Sequence, residues 1–157
     1  MSTILRFLQF FSLGTWVGSI IYLSFVVAPG AFSALSSRDL AGAVVGMALA
    51  RLHVLGIVAG IVFLASRVAL ARSLVALASS AALAVILMLL LTLVSQHWVA
   101  PRMAGLRAEM GSVDRTPENS PLRVQFNRLH RFSVRLEIAV LLAGLAALAL
   151  TVREKPL

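Results

Sequence analysis

The sequence predicts an all-α polytopic membrane protein, a four-helix transmembrane bundle, and three observations carry that reading. The 157-residue chain is 60% hydrophobic and only 13% charged, about half the charged share of a soluble domain. Its mean hydropathy is +0.96. The apolar residues gather into four stretches, about 7–29, 41–66, 73–100 and 130–152, each at least the roughly 20 residues that a helix needs to cross hydrocarbon. One soluble core cannot hide so much apolar surface, whereas lipid does not require hiding. Residues 1–157 therefore read as a single four-helix membrane domain, with both termini expected on one side. The absence of cysteine removes disulfides, thiolate metal sites and cysteine nucleophiles.

The first stretch, 7–29, is too long for the apolar part of a signal peptide and is expected to stay as a span. Ser12, Thr15, Trp16, Ser19 and Tyr22 recur along it at three- and four-residue spacing, which places them on one polar-aromatic stripe. Gly14 and Gly18 form a GxxxG that would let a second backbone approach. Pro29-Gly30 is expected to end this helix. Ser36-Ser37-Arg38-Asp39 reads as the next helix start, a serine cap followed by an acid in the first turn. That helix runs to about Ser66, longer than one crossing, and carries two further GxxxG spacings, Gly42/Gly46 and Gly56/Gly60.

Val68-Ala69-Leu70-Ala71, bracketed by Arg67 and Arg72, reads as a tight connection. The third span is nearly pure Leu, Ala and Val until Thr92, Ser95, Gln96, His97 and Trp98, and Pro101 is expected to stop it. A polar loop is expected over 102–120. Pro121 then suits the first position of the last helix, with Ser120 as its cap.

Chain direction alternates at each crossing, so His53, His97 and His130 all fall at the same end of the bundle. Together with Glu137, Arg51, Arg131 and Ser133 they form a candidate polar pocket, and the three histidines are the candidate metal ligands. The same end carries Arg38, Arg51, Arg102, Arg107, Arg115, Arg123, Arg128, Arg131 and Arg135, against Arg6, Arg67, Arg72, Arg153 and Lys155 at the other. A positive-inside count favours the histidine end as cytoplasmic. Several of its arginines lie within helices and can serve a site instead, so the orientation stays open. The net charge of +8 suits anionic lipid headgroups and gives no reason to invoke nucleic acid.

The run "FVVAPGAFSALSSRDLAGAVVGMALARLHVLG" and the later "FNRLHRFSVRLE" resemble the transmembrane-protein-205-like family (domain of unknown function 4149). The most specific parts are Ala28-Pro29 with Phe32, Ala41-Gly42, and the Phe126/His130/Ser133 spacing. The resemblance implies a four-helix membrane protein without an established biochemical activity, with metal handling as an expectation; the abundant glycine contact faces and small extramembrane part add an accessory role beside another membrane complex. A looser resemblance to membrane b-type cytochromes keeps a haem- or metal-binding bundle as an alternative, with haem or a transition metal as its cofactor. A small oligomeric transporter coupled through Glu137 is a further alternative. The bland reading of Glu137 is a salt bridge to Arg51 or Arg135. No serine sits in a nucleophile elbow, and Asp39 and Asp114 fall in loops, so an enzymatic role has least support. The expected setting is a bacterial cytoplasmic membrane, and the expected partners are a homo-oligomer or a larger membrane complex.

Overall fold

Long apolar helices dominate because, in hydrocarbon, a backbone with no water to bond must satisfy itself within one segment. The computed structural model describes residues 2–153; Lys155, assigned above to the N-terminal end, lies outside them. The described chain forms α1 (Ser2–Tyr22), α2 (Ala28–Ala34), α3 (Arg38–Ala71), α4 (Ser80–Val94), α5 (Ala100–Met110) and α6 (Pro121–Arg153). A π-helical turn over Leu23–Val27 joins α1 to α2, a second over Ser95–Val99 joins α4 to α5, and a 3-10 turn over Leu74–Ala78 precedes α4. The result is four continuous rods, Ser2–Ala34, Arg38–Ala71, Ser80–Met110 and Pro121–Arg153, each long and apolar enough to cross a membrane. The chain is a multi-pass integral membrane protein with an all-α four-helix bundle.

Neither proline ends its rod, contrary to expectation. Pro29 and Pro101 each occupy the start of a new α-segment immediately after a π-turn. The ring of a helical proline clashes with the carbonyl four residues back and removes one amide donor. Widening the preceding turn relieves that clash: the Ala28 amide donates to the Leu23 carbonyl and the Ala100 amide to the Ser95 carbonyl, the five-residue bonding of a π-bulge. The polar loop consequently shrinks to 111–120, because α5 runs to Met110 and is capped by Gly111 at φ 67°. The connection expected at 68–71 is instead helical; α3 runs to Ala71 and is capped by Arg72, in the left-handed region at φ 51°.

At about 1.5 Å per residue the 34-residue α3 is about 50 Å long, against about 30 Å of hydrocarbon. The excess builds a small extramembrane headpiece at the histidine end from α2, the start of α3, α5 and the start of α6. Ser37 caps α3 by accepting from the Leu40 amide at 3.1 Å. Asp39 straps the 111–120 loop down, accepting from the Ser112 hydroxyl at 2.6 Å and the Val113 amide at 2.9 Å. Asp114 returns the contact by accepting from the Arg38 amide at 2.9 Å.

Within the bundle α1 packs most extensively on α3 and α4 on α6, with α3 against α4 and α1 against α6 closing the ring. Trp16, Phe63, Met88, Val85 and Val140 fill its centre. Of the glycine pairs, Gly56/Gly60 is the close-contact face: a Cβ at Gly56 would collide with the Trp16 indole, and one at Gly60 with Leu89 and Trp16. Gly144 leaves room in the same way for Val17 and Met88. Gly14, Gly18 and Gly46 meet nothing within 4 Å, so their spacings close no contact inside this protomer. Over-packing a filled core costs about 1–3 kcal/mol, whereas relieving an open helical glycine gains about 0.5–1. Gly56→Ala should therefore lower the melting temperature in detergent, and Gly46→Ala should leave it unchanged or raise it. Equal responses from both would contradict the packing described.

Candidate functional site

A carboxylate inside hydrocarbon demands a partner, and on insertion scales an isolated acid at a helix centre costs about 2.5–3.5 kcal/mol. Glu137 meets that demand with an imidazole. His53 Nε2 lies 2.7 Å from Glu137 Oε1, and His53 Nδ1 lies 2.8 Å from Gln96 Oε1. His53 is 1% exposed and the Glu137 side chain 15% exposed. α3 supplies the ring, the π-turn after α4 supplies the amide and α6 the acid, so one buried side chain ties three of the four rods together. Arg51 and Arg135, the partners expected for Glu137, are both exposed and make no ion pair with it.

The chemistry of the arrangement follows from its acceptors. With oxygens facing both ring nitrogens, the contacts fit an imidazolium donating from both nitrogens to Gln96 and a Glu137 carboxylate, or a neutral ring donating to Gln96 and accepting from a protonated Glu137. Rotating the Gln96 amide by half a turn offers an N–H to Nδ1 and leaves a neutral ring. The pair carries no net charge while it holds one proton beyond the neutral ring and the carboxylate, and giving that proton up leaves Glu137 an anion bonded by a neutral ring. Arg135 precedes Glu137 by two residues, about 3 Å along the axis, so an exposed charge lies close to the cluster in depth.

The convergence of three histidines does not form. His97 and His130 are both exposed; His130 stacks on Phe126 with ring centroids 6.5 Å apart. Among the described residues no group of three or more His, Cys, Asp or Glu stands close enough to hold a metal ion. Both ring nitrogens of His53 are already hydrogen-bonded, to Gln96 and Glu137. Arg51 and Arg131 are exposed, while Ser133 is buried. Gln96, which completes the cluster, continues the buried face of Val85, Met88 and Thr92, four residues after Thr92. That periodicity distinguishes it from the adjacent His97.

The stripe on α1 divides in two. Ser12 and Trp16 are buried, and the Ser12 hydroxyl bonds back to the Leu8 carbonyl at 2.6 Å and the Gln9 carbonyl at 3.2 Å. Thr15, Ser19 and Tyr22 line a groove of about 640 Å³ between α1 and α3, open to the outside and floored by Gly14 and Gly18. Ala48, Arg51 and Leu55 form its other wall.

Removing one member of a buried charged pair typically costs about 3–5 kcal/mol, while an interhelical hydrogen bond in a membrane contributes about 0.6–2. His53→Leu should therefore destabilise the bundle more than Glu137→Gln, which keeps an acceptor for Nε2. The double variant His53→Leu with Glu137→Leu should lose less than the two single leucine variants summed. Strict additivity in thermal melts would show that the two side chains are not coupled.

Residues 11–112 match the family model described as Domain of unknown function (DUF4149). That stretch takes in the polar face of α1, His53, Gln96 and both π-turns, and stops before Glu137. The match carries this family identity and not the transmembrane-protein-205-like name. No curated protein matches the chain, and no solved structure does. With about two thirds of its length covered by that model, the chain belongs to the DUF4149 family.

Proposed function

We propose that this protein is a non-enzymatic accessory bundle that receives a transmembrane helix of another chain in the groove between α1 and α3. The observation carrying this reading is the lining of that groove. Lipid tails need only apolar walls, yet this wall presents Thr15, Ser19, Tyr22 and Arg51. Among the described residues the Thr15 and Ser19 hydroxyls make no hydrogen bond in the protomer, unlike Ser12. Gly14 and Gly18 have open space where a Cβ would project, the small-residue notch through which membrane helices approach closely. A partner helix carrying small residues and a hydrogen-bonding side chain suits both features. The buried polar cluster fits the same role, because it locks α3, α4 and α6 together and leaves α1 with α3 to present the groove. A bacterial cytoplasmic membrane is the proposed setting.

A proton-coupled transporter is the second reading, favoured by the 15% exposure of Glu137 beside a ring that can exchange a proton. Metal handling and haem binding gain no support from the residues at this site.

The chain contains no cysteine, so single cysteines are clean probes. A cysteine at Gly18 should cross-link in native membranes to one species of defined mass, while a cysteine at lipid-facing Leu142 should not. Indistinguishable patterns at the two positions would remove the accessory reading. Proton uptake by liposomes holding the purified protein, abolished by Glu137→Gln, would replace it with the transporter.

A further inference from the structure

At the histidine end nine arginines outnumber the acids Asp39, Glu109, Asp114, Glu118 and Glu137. None of the nine arginines at the histidine end is in an ion pair among the described residues, where the ion pair found is His53 with Glu137. Two of the nine are not simply solvated. Arg107 Nε, Arg123 Nε and Arg123 Nη1 are buried without a hydrogen-bond partner. A buried N–H left unbonded carries a desolvation cost of about 1–3 kcal/mol, more when the group is charged, and such groups call for a bound water or ion.

Phe126 relates the two arginines. Arg107 of α5 lies with its guanidinium carbon 5.6 Å from the centre of the Phe126 ring. Arg123 precedes Phe126 by three residues and so shares its face of α6. On the other side Arg107 Nη2 rests on α3, 3.0 Å from where a Cβ at Gly42 would stand, so glycine there leaves room for the guanidinium. Contact with the Phe126 ring satisfies none of the guanidinium N–H groups, which still need acceptors. The nearby acids do not supply them. Asp39 is within electrostatic reach of Arg107 but is engaged by Ser112 and Val113, and Asp114 is engaged by the Arg38 amide.

We propose that Arg107 and Arg123 form a binding site for a phosphate-bearing anion at the headpiece, with Gly42 and Phe126 as its flanking walls. Phosphate suits the donors: its oxygens accept several N–H bonds at once from planar guanidinium groups. Headgroup phosphates lie at the depth of this headpiece, and a free phosphate carries the same chemistry.

The test uses the full chain purified in an uncharged detergent, with inorganic phosphate and short-chain phosphatidylglycerol as separate probes and short-chain phosphatidylcholine for comparison. Arg123→Gln should weaken binding at least about tenfold, the loss of one charge-assisted contact. Arg128→Gln, an exposed change of equal charge, should alter it less than about twofold. Arg123→Lys should behave as Arg123→Gln does, because one ammonium cannot replace the orphaned guanidinium donors; this keeps the test valid if the glutamine variant folds poorly. Protection by inorganic phosphate assigns the site to free phosphate, and protection by phosphatidylglycerol alone assigns it to lipid. No saturable binding of either probe, or equal weakening by Arg123→Gln and Arg128→Gln, would overturn the proposal.

Discussion

The hydrogen bonds on the two nitrogens of His53 are the contacts on which the rest of the architecture depends. Each rod is self-sufficient in backbone bonding, and most of the apolar surface is as comfortable in lipid as against a neighbour. Apolar packing alone therefore specifies the helix order weakly. A carboxylate, an imidazole and an amide on three different rods behave differently, since each separately is costly in hydrocarbon and together they satisfy one another. The Gln96–His53–Glu137 chain fixes which faces of α3, α4 and α6 meet. Trp16 seated on Gly56 then fixes α1 against α3.

The two π-turns extend this logic into the headpiece. Each precedes a proline that would otherwise break its rod, and each turns the following segment so that α2 and α5 continue beyond the hydrocarbon. The second includes Gln96 itself. The distortion that accommodates Pro101 thus also sets the direction of the amide that bonds His53. Above it the headpiece sets Arg107 against Phe126 and ties its loop through Asp39 and Asp114. The polar interior of the bundle and its cationic cap are stacked at the same end.

Much of the architecture was legible in the residues. Four apolar stretches gave four rods, and Ser37 with Asp39 marked the start of α3 because capping chemistry is local. The ends of the rods were harder to read. A proline reads as a stop, and only the three-dimensional continuation of α1 and α4 shows that a widened turn absorbs it. The site was half visible. His53 and Glu137 were singled out as ionisable groups in apolar helices, but all three histidines were drawn into one pocket from their shared end of the bundle. End placement fixes neither depth nor azimuth closely. His97 follows Gln96 directly yet is exposed, His130 lies seven residues before Glu137 on α6, about 10 Å along the axis, and Gln96 was identifiable only by its step from Thr92 along the buried face. Gly14/Gly18 and Gly56/Gly60 share one spacing and have opposite fates, because the spacing records that a close approach is possible and not whether Trp16 or open space occupies it.

The central claim is that one imidazole, bonded at both nitrogens, joins three helices. Nitrogen-15 NMR of protein labelled at its three histidines tests it directly. One ring, assigned by the loss of its signals in a His53 variant, should be protected from solvent exchange, hydrogen-bonded at both nitrogens, and shifted by changes at Gln96 and at Glu137. Three rings exchanging alike, all indifferent to Gln96 and Glu137, would contradict the account.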